Sequence, residues 1–133
     1  MNSRWAQTIA AMALLQSPTA SSAAPRTAIP RVPGTCSFTL IKQVTTRLED
    51  GAGHSVPDSG SAVILQNGVY GVSYEDVPEV QRSRKGDRVL TCLVKLPRNC
   101  PRGDNRGKLY TTTNLRTDES WTLPDAEHMC GGA

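Results

Sequence analysis

The sequence predicts an all-β fold, a small barrel or sandwich of five to seven mostly antiparallel strands held by two disulfides. Three observations carry this reading. Apolar residues alternate with a period of two over residues 36–48 and 88–96, the pattern of half-buried strands. Asn67-Gly68 separates two further alternating runs, a strong short-range hairpin signal. The chain has 4 cysteines and no amphipathic stretch long enough for a substantial helix.

In chain order, residues 1–23 carry one early charge at Arg4, an apolar run from Trp5 to Leu15 and small residues near Ala23. This is the three-part pattern of a secretory signal peptide, cleaved near Ser21-Ser22-Ala23. The apolar run is far shorter than the ~20 residues of a membrane-spanning helix, so the mature protein is expected to be soluble, in the periplasm or fully secreted. Residues 24–35, with Pro25, Pro30 and Pro33, read as a flexible leader. Residues 36–133 then form one small disulfide-stabilised domain, a length that fits the usual prior.

"CSFTLIKQVTTRL" starts that domain, with Cys36, Phe38, Leu40, Val44 and Leu48 on one side against Ser37, Thr39, Gln43, Thr45 and Arg47 on the other. Residues 49–61 are rich in Gly, Asp and Ser and form a loop. In "SAVILQNGVYGVSYE" a two-residue type I′ turn at Asn67-Gly68 puts Val63 and Leu65 on one face with Tyr70 and Val72. Residues 75–87 form a second polar loop. "RVLTCLVKL" is a central strand that places Leu90, Cys92, Val94 and Leu96 inward. Residues 97–107 hold Pro97, Pro101, Gly103 and Gly107 and read as an irregular loop pinned by Cys100. "KLYTTTNL" and "SWTL" make the last hairpin, and Pro124 starts a short C-terminal helical turn that Gly131 ends.

Cys36, Cys92, Cys100 and Cys130 all follow the leader, and none is spaced as a C-x-x-C redox or zinc motif. An even number of cysteines in an exported chain implies disulfides. Four cysteines allow three pairings. The two on inward strand positions favour Cys36 with Cys92, and the two in turns favour Cys100 with Cys130.

Charge is distributed unevenly. From Arg82 to Lys108 nine Lys or Arg face only Asp87 and Asp104, a local net of +7, whereas residues 36–81 sum to −4 and 109–133 to −3. Such a concentration attracts anionic polymers or acidic proteins. Residues 82–108 hold no Phe, Tyr or Trp to stack bases, which argues against nucleic acid. Arg102-Gly103-Asp104 resembles an adhesive tripeptide, but turn residues recur in loops by chance, and Asp104 has arginines around it with which to pair. His128 with Asp125 and Glu127 makes a weak metal-type cluster without zinc or calcium spacing, and no motif signals a cofactor.

The functional expectation is therefore an exported binding module rather than a catalyst. It recognises an anionic envelope polymer or an acidic protein, in the manner of an inhibitor, through Arg82, Arg84, Lys85, Arg98, Arg102, Arg106 and Lys108. Tyr110 joins that set if it is exposed beside Lys108, as an aromatic and basic interface spot. The alternatives are a small enzyme or metal-dependent factor using His128, Asp125 and Glu127, and a purely structural envelope protein. The combined surface requires loops 82–88 and 98–108 to lie together; separation by ~20 Å along a strand removes it.

Overall fold

A computed structural model of the chain describes residues 28–132. The predicted signal peptide and the first residues of the leader lie outside the described residues. Six antiparallel strands form one sheet: β1 (Cys36–Thr46), β2 (Ser61–Leu65), β3 (Tyr70–Ser73), β4 (Arg88–Lys95), β5 (Leu109–Asn114) and β6 (Glu119–Pro124). Their order is β3-β2-β1-β4-β5-β6. The sheet curls into a half-barrel whose two edge strands, β3 and β6, approach each other; a Cβ on Gly71 would sit 3.4 Å from Leu123. Inside the curl Ile41, Val63, Leu65, Val69, Val89, Leu93, Tyr110, Trp121 and Leu123 form the core, joined by Val80.

Cys36–Cys92 and Cys100–Cys130 are the two disulfides, as the sequence favoured, but the argument that placed the first pair inward fails. Cys36 opposes Cys92 directly across the β1–β4 ladder, on the outer face with Phe38 opposite Leu90. Ser37, Thr39 and Ile41 point inward from β1, and Val89, Thr91 and Leu93 from β4. Phe38, expected in the core, is 39% exposed, and Val94 and Leu96 are also exposed. A bulge explains the reversal in β1. Ile41 pairs with Leu65 and Gln43 with Ile64, leaving Lys42 over, so Val44 faces inward as expected while every residue before the bulge changes face. β4 is apolar on both faces, so its period did not identify the inner one.

The β2–β3 hairpin shows the same sensitivity to one residue. Tyr70 pairs with Ile64 and Val72 with Ala62, so Val63 and Leu65 share their face with Gly71 rather than with Tyr70 and Val72. The connection is a three-residue loop, Gln66-Asn67-Gly68, with only Gly68 at positive φ (94°), and not a two-residue type I′ turn. Asn67 is held against β1: its N–H donates to Thr39 Oγ1 at 3.1 Å and its side-chain amide to Ser37 Oγ at 3.2 Å. These bonds to β1 hold it out of the left-handed conformation that a type I′ turn requires of both its central residues.

Two further expectations change. The short helix is α1 (Pro78–Gln81), anchored by buried Val80 and begun by proline, within the segment read as a polar loop. Residues 125–130 form bends and a turn instead of a helical turn, because the Asp125 N–H extends the strand pairing by donating to the Lys108 carbonyl at 2.9 Å. The described part of the predicted leader packs on the barrel. Tyr110 donates its hydroxyl proton to the Pro30 carbonyl at 3.2 Å, and the Gly34 N–H donates to Leu93 O at 2.8 Å.

Candidate functional site

Strand β4 decides how the basic residues are arranged. Loop 82–87 enters it at Arg88 and loop 96–108 leaves it at Lys95. Seven residue steps at ~3.3 Å place the two loops about 20 Å apart. The single combined surface is therefore replaced by two separate cationic ends, and each is thinned by internal ion pairs.

At the N-terminal end of β4, Arg82 grips Glu119 at 2.6 Å and lies 3.7 Å from Glu79. Arg116 binds Asp87 at 2.7 Å. Arg84, Lys85 and Arg88 are exposed and have no ion-pair partner among the described residues. The Arg88 guanidinium lies 5.9 Å from the Phe38 ring on the outer face.

At the C-terminal end, the loop is pinned by Cys100–Cys130, and the Arg98 carbonyl oxygen lies 3.9 and 3.8 Å from the two sulfurs. Asp104 accepts from Arg106 Nε at 2.9 Å and Nη2 at 2.8 Å, from the Arg106 N–H at 3.2 Å, and from the Gly131 N–H at 3.0 Å. The Arg106 guanidinium, followed by the Gly131 N–H, holds this carboxyl well below the usual carboxylate range. The carboxylate of the Arg-Gly-Asp tripeptide is thus engaged by its own loop and tail. Asp125 is equally committed: it accepts from the Gly107 and Lys108 N–H groups, both at 2.8 Å, and from Lys108 Nζ at 3.2 Å.

Of the nine cations between 82 and 108, only Arg82, Arg106 and Lys108 sit in ion pairs among the described residues. Lys95, Arg98 and Arg102 stay exposed and without such partners among the described residues at the C-terminal end. Tyr110 is 5% exposed and faces the core, so it supplies no aromatic surface beside Lys108.

Two concavities flank this end. A cleft of about 430 Å³ is lined by Ile29, Arg31, Val69, Tyr70, Asn105, Lys108, Tyr110 and Asp125, among others, at the mouth of the half-barrel. Burial raises the pKa of both tyrosines, keeping the phenols protonated. The second, of about 230 Å³, is an apolar groove formed by Leu96, Pro97, Leu109, Pro124 and Met129 over Gly107, with Lys95 and Arg98 on it. The sequence reading missed this groove. The sequence places Leu96 in the core and Met129 in a helical turn, whereas the disulfide and the hydrogen bonds of Gly131 to Asp104 and of Cys130 to Arg106 bring the tail against the loop after β4.

His128, Asp125 and Glu127 do not converge. Glu127 pairs with Arg47 at 3.2 Å, Asp125 with Lys108, and His128 stands 6.4 Å from the Tyr74 ring, centroid to centroid. No group of three His, Cys, Asp or Glu placed to hold a metal exists among the described residues, and none of their helices is long and apolar enough to cross a membrane. No family model, curated protein or solved structure matches the chain.

Proposed function

We propose that the chain is an exported binding module that recognises an anionic partner mainly through the C-terminal end of β4, with Lys95, Arg98 and Arg102 as its contacting cations. One observation carries the reading: nearby Asp104 and Asp125 are neutralised by internal pairs, while these three cations are left uncompensated among the described residues. Exposed charge that is not spent internally is available to steer and hold an opposite charge. The disulfide behind Arg98 keeps the rim in place, and two disulfides fit an oxidising compartment. Arg84, Lys85 and Arg88 form a second, separate cationic surface at the far end of the strand.

The test is affinity for a sulfated polysaccharide and an anionic envelope polymer across a salt series. Lys95→Glu/Arg98→Glu/Arg102→Glu is expected to weaken binding by about tenfold or more at low salt and to flatten the salt dependence. Arg84→Glu/Lys85→Glu/Arg88→Glu is expected to cost less. Equal losses in the two triple variants, or none in the first, refute the assignment to this end.

A further inference from the structure

Resting on that reading, the geometry points to a more specific partner: we infer that the groove between Lys95, Arg98 and Met129 seats an acidic protein segment by one apolar side chain flanked by carboxylates. The two features required for such a ligand adjoin each other. The groove is walled by Leu96, Pro97, Leu109, Pro124 and Met129, and Leu96 and Met129 are 41% and 55% exposed. Lys95 and Arg98 lie on the same groove without ion-pair partners among the described residues.

The partner's chemistry follows from these neighbours. A polysaccharide brings anions and hydroxyls, satisfying the cations but leaving the groove in water or lining it with polar groups that find no donor there. An apolar peptide fills the groove but leaves both cations unanswered. A side chain such as Leu or Phe between Asp or Glu residues satisfies both, in the arrangement of an apolar anchor inside a polar rim. The seat is firm on one side, where Leu109 on β5 opposes Pro124 on β6, and where the Cys100–Cys130 bond pins the chain two residues beyond Arg98. It is adaptable on the other, because Met129 is unbranched and repacks easily. Met129 lies directly over residue 107, where a Cβ would come within 2.8 Å of its Sδ and Cε atoms. Glycine there sets the depth of the groove.

The test uses the oxidised protein and two synthetic peptides, one rich in Glu with a single central Leu and one identical except for Ser at that position, followed by fluorescence anisotropy. The Leu peptide is expected to bind about 10- to 100-fold more tightly than the Ser peptide. Met129→Asp is expected to close that gap, and Met129→Leu to restore it, which separates loss of the groove from loss of fold. Lys95→Glu/Arg98→Glu is expected to weaken both peptides. Equal binding of the two peptides, lost together in the charge variant, overturns the groove and leaves the cationic surface intact. Binding of polyanions with no binding of either peptide also overturns the inference, while failure of polyanions and peptides alike removes the underlying reading too.

Discussion

Asp87 is the residue on which the N-terminal end of β4 is organised. Its carboxylate accepts from the Arg84 N–H and the Asn114 side-chain amide, each at 2.8 Å, and from Arg116 Nε at 2.7 Å and Nη2 at 2.8 Å. Loop 82–87, β5 and the β5–β6 turn are thereby tied to one buried group. In the sequence it shows only as the second half of a Gly-Asp turn, since its side-chain partners lie 27 and 29 residues away. The Arg116 guanidinium, aided by Asn114 and Arg84, holds its pKa far below the ordinary carboxylate value despite burial. A depressed carboxylate contributes stability that is complete above its unfolded pKa of ~3.9 and is lost as pH falls below that value towards the folded one. Asp87→Asn is therefore expected to cost about 2–4 kcal/mol at pH 7. That deficit should shrink as the medium is acidified below about pH 4. Urea unfolding of both proteins at neutral and acid pH checks this; a deficit that stays constant with pH would show that the charge on Asp87 is not what stabilises the fold.

At the scale of elements, every strand-bearing segment was legible in the sequence, because alternation, Gly-rich loops and Asn-Gly are local signals. Faces were less legible. Whether Phe38 or Ile41 points inward depends on a bulge at Lys42, and whether Val72 or Gly71 joins Val63 depends on one residue of turn length. Both choices are made by pairing with distant residues: Leu65 for Ile41, and Ser37 and Thr39 for Asn67. Backbone packing between elements offers a sharper test of this arrangement. Gly60, at φ 98°, sits against β3, and a Cβ there would lie 2.1 Å from the Ser73 carbonyl oxygen. Gly86, at φ 89°, has open space at the same position. Alanine at Gly86 is expected to cost about 1 kcal/mol from backbone strain alone. Alanine at Gly60 should cost about 3 kcal/mol or more, since β3 must also shift. Equal thermal or urea midpoints for the two variants would mean that Gly60 is not in contact with β3.

For the molecule as a whole, the two disulfides have different work to do, and their separate removal distinguishes the scaffold from its binding end. Each closes a loop, with sequence separations of 56 and 30 residues, for which chain entropy gives a contribution of about 4 kcal/mol each as a ceiling. Cys36–Cys92 staples the two central strands across which both halves of the sheet meet. Cys100–Cys130 instead joins a loop to the C-terminal tail, where the local order comes from Asp104, Arg106 and the Gly131 N–H. The sequence suggested both pairings, and with the second a tether from the tail to the loop, but not this division, because it placed Cys36, Cys92 and Leu96 in the interior. Cys100→Ser/Cys130→Ser is expected to leave amide-exchange protection in β1, β4, β5 and β6 close to that of the parent. In residues 98–107 and 126–132 protection should be lost, and with it the salt-dependent binding and the preference for the Leu peptide. Cys36→Ser/Cys92→Ser is expected to lower protection throughout the sheet while leaving those binding properties in whatever fraction remains folded. If the first variant keeps full binding, the cationic rim does not depend on the loop that carries it; if it loses protection in β4 and β5 as well, the C-terminal loop is part of the cooperative core and not a separable recognition end.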